Sequence, residues 1–317
     1  MRLLQFSKGA WGASDSVEPD EARELAWGPT HVWIRLEGLD QQKLENLAAT
    51  FNLHPLAIED VRNHRQRPKV EDYPELTFVV VRVPRLADDG MHWLTLGLFL
   101  GPDFLITACT DPVLELDAVE KRLLNARPNA RTSSIDHVFY QVLDAVVDAY
   151  FPVMDDLEDR IEALEEGVLD GADREELERI QGIKRLVSRT RKTIVPMREA
   201  TAMLERGDHP HIREETRLYL RDVADHMARL AERLEHVREM AVLTQETYNA
   251  TLANQTNRVV KALTAVTLFT TIPMLIGTLL GMNLDNVPHQ WSFWHVSLAS
   301  MLVIIPLYIV ARRLDWM

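Results

Sequence analysis

The spacing of hydrophobic positions changes character along the chain. From the N-terminus to about position 130, apolar positions fall in short runs rich in Val, Ile, Trp and Phe: His31–Leu36, Leu76–Val83, His92–Leu100 and Asp103–Cys109. Runs of that length and composition predict strands. Asp88-Asp89-Gly90 is placed as a hairpin turn between two of them. Positions 40–60 read as helices, with Pro55 suited to a helix start. The segment 1–130 is therefore expected to form an α/β domain.

The pattern then becomes helical. Asp136–Glu166 is poor in Gly and Pro except for Pro152, and Ala172–Leu204 is a second helical stretch interrupted by Gly182 and Pro196. Both carry an apolar stripe among many charges. Short connectors at 167–171 and 207–210 predict adjacent helices. From 211 to 272 there is neither Pro nor Gly. As one helix that stretch would span roughly 90 Å. Leu220, Val223, Met227, Leu230, Leu234, Val237 and Ala241 alternate spacings of three and four, a coiled-coil-type seam. The seam turns polar at Thr244, Tyr248, Thr251 and Gln255.

Beyond Lys261 the chain is almost uncharged. Between Ala262 and Ala311 the only Lys, Arg, Asp or Glu is Asp285. This stretch divides into two apolar segments, Ala262–Leu280 and Ser292–Ala311. About 20 apolar residues cross a hydrocarbon core of ~30 Å, so two spans are expected. Arg258 and Lys261 precede the first, Arg312 and Arg313 follow the second, and the connecting loop has neither Lys nor Arg. Positive charge stays inside, which puts both chain ends in the cytoplasm and predicts an inner (cell) membrane protein. The expected organisation is a cytoplasmic α/β domain (1–130), antiparallel helices (131–210) and the cytoplasmic part of a long helix (211–261). Then come a first span (262–281), an outer loop (282–291), a second span (292–311) and a basic tail (312–317).

Composition narrows the function. The 317 residues carry a net charge of −13 with a pI near 5.3, which argues against a nucleic-acid partner. The single cysteine, Cys109, excludes a disulfide framework and a Cys-rich zinc fold. Met1 to Ala10 holds no signal-peptide core. The mean hydropathy of −0.14 describes an average protein only because the apolarity sits at one end. No phosphate-binding loop, HExxH, GxSxG or CxxC is present, so no enzyme is expected.

Two spans cannot enclose a pore, so a transporter of this kind must assemble around a symmetry axis. Thr264, Thr267, Thr271, Met274 and Thr278 lie on one face of the first span, and the face continues down through Val260 to Asn257. Threonines in membrane helices often bond their own backbone. Four on one stripe point to a pore lining. Ser297 and Ser300 are the few small hydroxyls of the second span. Gly277 and Gly281 form a close-approach pair.

Gly281-Met282-Asn283 ends the first span, and the stretch from Lys261 to Thr264 stands at its start. Upstream lie the segments 51–61 (FNLHPLAIEDV), 66–71 (QRPKVE), 143–151 (LDAVVDAYF) and 221–226 (RDVADH), in that order. On these residues the chain resembles the CorA family of divalent-cation transporters. The resemblance implies a homopentameric funnel in the lipid bilayer, with five copies of the first span around the pore and Gly281, Met282 and Asn283 as its selectivity filter. A neutral ring of Asn283 carboxamides would accept hydrogen bonds from a hydrated Mg²⁺ without stripping its waters. A carboxylate ring would risk holding the ion too tightly. The resemblance also implies closure by intracellular Mg²⁺ at acidic subunit interfaces, with Asp222 as one ligand and Asp88 or Asp89 as its partner. Co²⁺ and Ni²⁺ are further possible cargoes.

The sequence departs from the magnesium members after Asn283. The loop carries Asp285 and His289 but no Glu. Zinc transporters of the ZntB type also lack that Glu, and His289 is a possible soft-metal contact. A Zn²⁺ transporter, with or without proton coupling, is the alternative. Val260, Leu263, Met274 and Leu275 are candidates for a hydrophobic gate. The pair His209 and His211 has transition-metal spacing but is commonly an exposed turn.

Overall fold

The structure is a computed structural model and describes residues 1–313 apart from positions 8, 16, 28–29, 39–40, 88–89, 126–133 and 281–292. It resolves into two compact units. The first holds Met1–Ala163 and Gln181–Ala241, the second Leu164–Ile180 and Val242–Met317.

The first unit is built on a seven-stranded sheet: β1 (Arg2–Ser7), β2 (Ala10–Asp15), β3 (His31–Glu37), β4 (Lys69–Tyr73), β5 (Leu76–Ala87), β6 (Gly90–Leu100) and β7 (Phe104–Cys109). The order is β2-β1-β3-β7-β6-β5-β4. Among the described residues, only β3 and β7 pair in parallel. The four runs predicted as strands are β3, β5, β6 and β7, which form the middle of the sheet and are buried on both faces. Sequence pattern missed β1, β2 and β4. Edge strands such as β2 and β4 meet solvent and carry charged or small residues. β5 and β6 pair antiparallel as far as Ala87↔Gly90, and Asp88 and Asp89 of the predicted turn lie outside the described residues.

Helices α1 (Pro19–Ala26), α2 (Gln41–Thr50) and α3 (Pro55–Arg62) cover one face. Their Ala22, Leu44, Leu47, Ala57 and Val61 meet Ile34, Phe78, Phe99 and Ile106 of the sheet in one core. Pro55 occupies the first position of α3, where its missing N–H is no loss, and the His54 side chain accepts from Leu56 N at 3.2 Å. Asn52 ends the preceding turn with a φ of 53°, a conformation Asn tolerates. On the opposite face lie α4 (Leu114–Asn125) and α5 (Ile135–Asp148). Arg35, almost wholly buried there, bonds Glu37, Asp117 and Glu120.

The helical stretches differ from expectation in two places. Asp136–Glu166 is two helices, α5 and α6 (Phe151–Asp170), broken at Ala149–Tyr150. The fully buried Tyr150 pins that break, because its hydroxyl donates to the Arg82 carbonyl. Pro152 is then harmless as the second residue of α6. By contrast, α7 (Arg174–Arg206) runs without a break through Gly182 and Pro196. The flanking Ile194 and Met197 are fully buried. Packing of that face holds the helix against the lost hydrogen bond.

Helix α8 (Glu214–Leu280) is continuous over 67 residues and α9 (Phe293–Arg313) over 21. The seam from Leu220 to Ala241 is buried within the first unit. There Arg233 of α8 holds Asp155 at 2.7 Å and Glu158 at 2.6 Å on α6. Glu235 accepts from Arg191 of α7 at 2.8 Å. In the second unit Thr244 and Tyr248 are buried, and from Leu252 to Leu263 the helix is exposed on every side.

Candidate functional site

Among the described residues, one helix is long and apolar enough to cross a membrane. It is α8, whose most apolar 18-residue window is 6% buried. In that apolar part the predicted stripe faces outward. Val260 is 53% and Met274 74% exposed, and Asn257, Thr267, Thr271 and Thr278 are exposed too. Thr264 is half-buried. Three of the four stripe hydroxyls share one geometry. Thr264 donates to the Val260 carbonyl at 2.8 Å, Thr267 to Leu263 at 2.8 Å and Thr278 to Met274 at 2.7 Å. Those three protons are thus used inside the helix, and the oxygen lone pairs remain to accept. Hydroxyl oxygens that only accept suit the water shell of a cation, whose hydrogens point outward.

Gly281, Met282, Asn283, Asp285 and His289 lie outside the described residues, as do Asp88 and Asp89. The gate candidates Leu263 and Leu275 are 65% and 57% exposed, beside Val260 and Met274.

A second constellation joins α5 to α8 in the first unit. Ligand atoms of Asp144, Asp148 and His226 lie within 4.8 Å of one another. Asp222 stands one helical turn before His226, its Oδ2 3.7 Å from Nε2. Burial first, then the negative charges of Asp148 and Asp222, push the Asp144 carboxyl above its usual range. The Tyr140 phenol beside them is pushed up to about 12 by burial, Asp144 and Asp222. Nδ1 of His226 is buried without a hydrogen-bond partner among the described residues. A half-buried carboxyl crowded by two others is a place where a cation relieves repulsion. The oxygens suit Mg²⁺, and the imidazole would add affinity for Co²⁺ or Zn²⁺.

Sequence reasoning singled out Asp222 there and missed Asp144, Asp148 and His226 as possible ligands. A signal existed. Both segments, 143–151 and 221–226, place two ligand-type residues at i and i+4, on one face of a helix.

The His209 and His211 reading needs correcting. His209 is buried, not an exposed turn. Its Nδ1 meets the Asp72 carboxylate at 2.9 Å and its Nε2 the Met203 carbonyl at 3.1 Å. Both nitrogens are engaged with oxygen partners, so neither is turned toward a metal. Burial lowers the pKa of His211. His209 ties the α7–α8 connector to β4.

The family described as CorA-like Mg²⁺ transporter protein matches residues 29–313. A cobalt/magnesium transport protein CorA of Thermotoga maritima is 32% identical over 296 residues, covering 91% of this chain and 84% of that one. A putative metal ion transporter of Bacillus subtilis, YfjQ, is 28% identical over 288 residues, covering 90% and 88%. The complete CorA magnesium transporter of Methanocaldococcus jannaschii shares the fold with a TM-score of 0.85 at 20% identity, over 100% of this chain and 99% of that one. The ZntB cytoplasmic domain of Vibrio parahaemolyticus gives 0.64 at 12% identity, over 80% of this chain and 98% of that one.

Proposed function

Because this chain belongs to the CorA-like Mg²⁺ transporter family, we propose that it carries Mg²⁺ into the cell down the membrane potential, with Co²⁺ or Ni²⁺ as lesser cargoes. The carrying observation is the exposed threonine face on the apolar part of α8. It offers oxygen acceptors where a single chain leaves them open. Five copies of α8 around an axis would turn that face into a pore lining of Asn257, Val260, Thr264, Thr267, Thr271, Met274 and Thr278.

The first span is 262–281 and the second 292–311, and both chain ends lie on the cytoplasmic side. The filter is Gly281, Met282 and Asn283, with Asn283 taking the hydrated ion through carboxamide oxygens and Asp285 and His289 flanking it in the outer loop. The drive is about 2.3 kcal/mol per charge per 100 mV, hence about 4.6 kcal/mol for a divalent ion. The segment 1–261 serves as the cytoplasmic funnel. Transport makes and breaks no covalent bond, and no enzymatic role is assigned.

Regulation falls to the acidic cluster. Asp222 with Asp144, Asp148 and His226 would bind intracellular metal, Asp88 or Asp89 of a neighbouring subunit would complete the shell, and occupancy would hold the pore closed. This reading rests on the crowding of Asp144, Asp148 and Asp222 around His226.

The test is ion flux into liposomes holding the purified chain. Mg²⁺ entry that ignores a pH gradient, fails in Asn283→Ala and falls as internal Mg²⁺ rises is the expected result. Zn²⁺ entry driven by an inward proton gradient, without Mg²⁺ entry, would overturn the magnesium reading in favour of the zinc one. Flux limits that persist unchanged in Asp222→Asn and His226→Ala would remove the cluster from regulation.

A further inference from the structure

The first unit contains a cleft of ≈ 540 Å³ whose lining shares no residue with the threonine face or the acidic cluster. Three pieces build it. The loop after α3 supplies Arg65 and Arg67, the β5–β6 hairpin supplies Arg82 and Trp93, and α7 supplies Arg189 and Lys192. Arg67 belongs to the 66–71 segment. Among the described residues, no Asp or Glu lines the cleft.

That charge distribution runs against the rest of the molecule. The chain has 48 acids against 35 Lys and Arg, and the arginines that anchor its fold have carboxylate partners. Arg35 has three, Arg233 two and Arg213 one. Arg65, Arg67, Arg189 and Lys192 make no ion pair among the described residues. The fifth cation is buried. Arg82 is only 9% exposed, and its guanidinium donates to the His64 and Trp93 carbonyls and to the Thr95 hydroxyl. Every acceptor is neutral. A buried cation held by dipoles alone lacks its counter-charge. Four further cations converging on the same opening compound that deficit.

We propose that this cleft binds a multiply charged phosphate anion, either free polyphosphate or the phosphate tail of a nucleotide. Guanidinium forks match phosphate oxygens in pairs, and Lys192 adds a point charge. The volume lies within the range of small-molecule sites. Trp93, half-buried at the edge, would give a nucleotide base a stacking surface that free polyphosphate does not need. Each bound Mg²⁺ removes two negative charges from such an anion. The cleft therefore prefers the metal-free form, which accumulates when cellular Mg²⁺ is scarce. Binding itself does not depend on the transport reading, so failure of one leaves the other standing.

The experiment is calorimetric titration of the purified full chain in detergent, with EDTA present. Inorganic triphosphate and ATP are titrated separately, against sodium sulfate at matched ionic strength. Saturable binding near one per chain is expected for triphosphate, weaker when excess Mg²⁺ replaces EDTA. Each of Arg189→Ala and Lys192→Ala should weaken it about tenfold. Both residues are exposed, so folding should survive, and the circular dichroism spectrum checks that. Equal affinity for triphosphate and ATP identifies the phosphate chain as the whole ligand. Tighter ATP binding that Trp93→Leu reduces to the triphosphate level identifies a nucleotide. No saturable heat, an affinity matched by sulfate, or affinities unchanged in both variants would overturn the proposal.

Discussion

Asp136 is where α5 takes hold of α8, and it gives the sharpest test of the energetics. Its carboxylate is 3% exposed. It accepts from Arg213 N at 3.1 Å, Arg213 Nη2 at 2.9 Å and the Thr216 hydroxyl at 2.6 Å. Because α8 begins at Glu214, this carboxylate caps the helix from another element and faces its positive end. Asp136→Asn keeps the shape and one acceptor oxygen but turns an amide N–H₂ toward donors. One charge-assisted interaction is worth about 1.5–3 kcal/mol. The Arg213 side chain is 51% exposed, so water recovers part of its solvation and the cost should stay below the roughly 3–5 kcal/mol typical of breaking a fully buried pair. We expect a loss of about 2–3 kcal/mol, or a Tm lower by roughly 4–12 °C at neutral pH. Burial works to raise this carboxyl, but the bonds from Arg213 and Thr216 prevail and hold it below the usual range. The stabilisation is then complete above the unfolded pKa near 3.9 and fades as pH falls through the lower folded value. Wild-type Tm should drop steeply below about pH 4, while the variant loses less there. Intrinsic fluorescence melts of the detergent-solubilised chain measure both. A Tm shift under about 2 °C, or parallel acid limbs, would refute the reasoning.

Three further outcomes are expected. Gly97→Ala puts a methyl group into Val61 Cγ2, so it should cost about 1–3 kcal/mol, read as a lower Tm that the added substitution Val61→Ala partly restores. Burial pushes the Cys109 thiol up to about 12, so an aromatic disulfide reagent at pH 8 should leave the native chain unmodified and label one thiol in denaturant. Thr267→Val removes a hydroxyl whose proton is already given to Leu263, so stability should hold while Mg²⁺ flux falls. Unchanged flux would take Thr267 out of the pore lining.

Whatever depended on local period was legible in the sequence. The central strands were, because a strand buried on both faces must be apolar throughout. So was the apolar part of α8, because no arrangement of neighbours makes such a surface soluble without burying it. The threonine stripe follows from helical spacing alone. Edge strands β2 and β4 escaped because exposure removes the pattern. The unbroken course of α7 through Pro196 escaped because packing of Ile194 and Met197 outweighs a local propensity.

The two clusters were a matter of tertiary structure. Asp144 and Asp148 read from the sequence as acids on an amphipathic helix, and only the docking of α5 on α8 sets His226 and Asp222 beside them. Arg67 and Lys192 read as ordinary surface charges until a loop and a distant helix face the same opening, with no carboxylate between them among the described residues. Charge is a property of one residue. The field that gives it chemistry comes from neighbours far along the chain, and only folding brings them within reach.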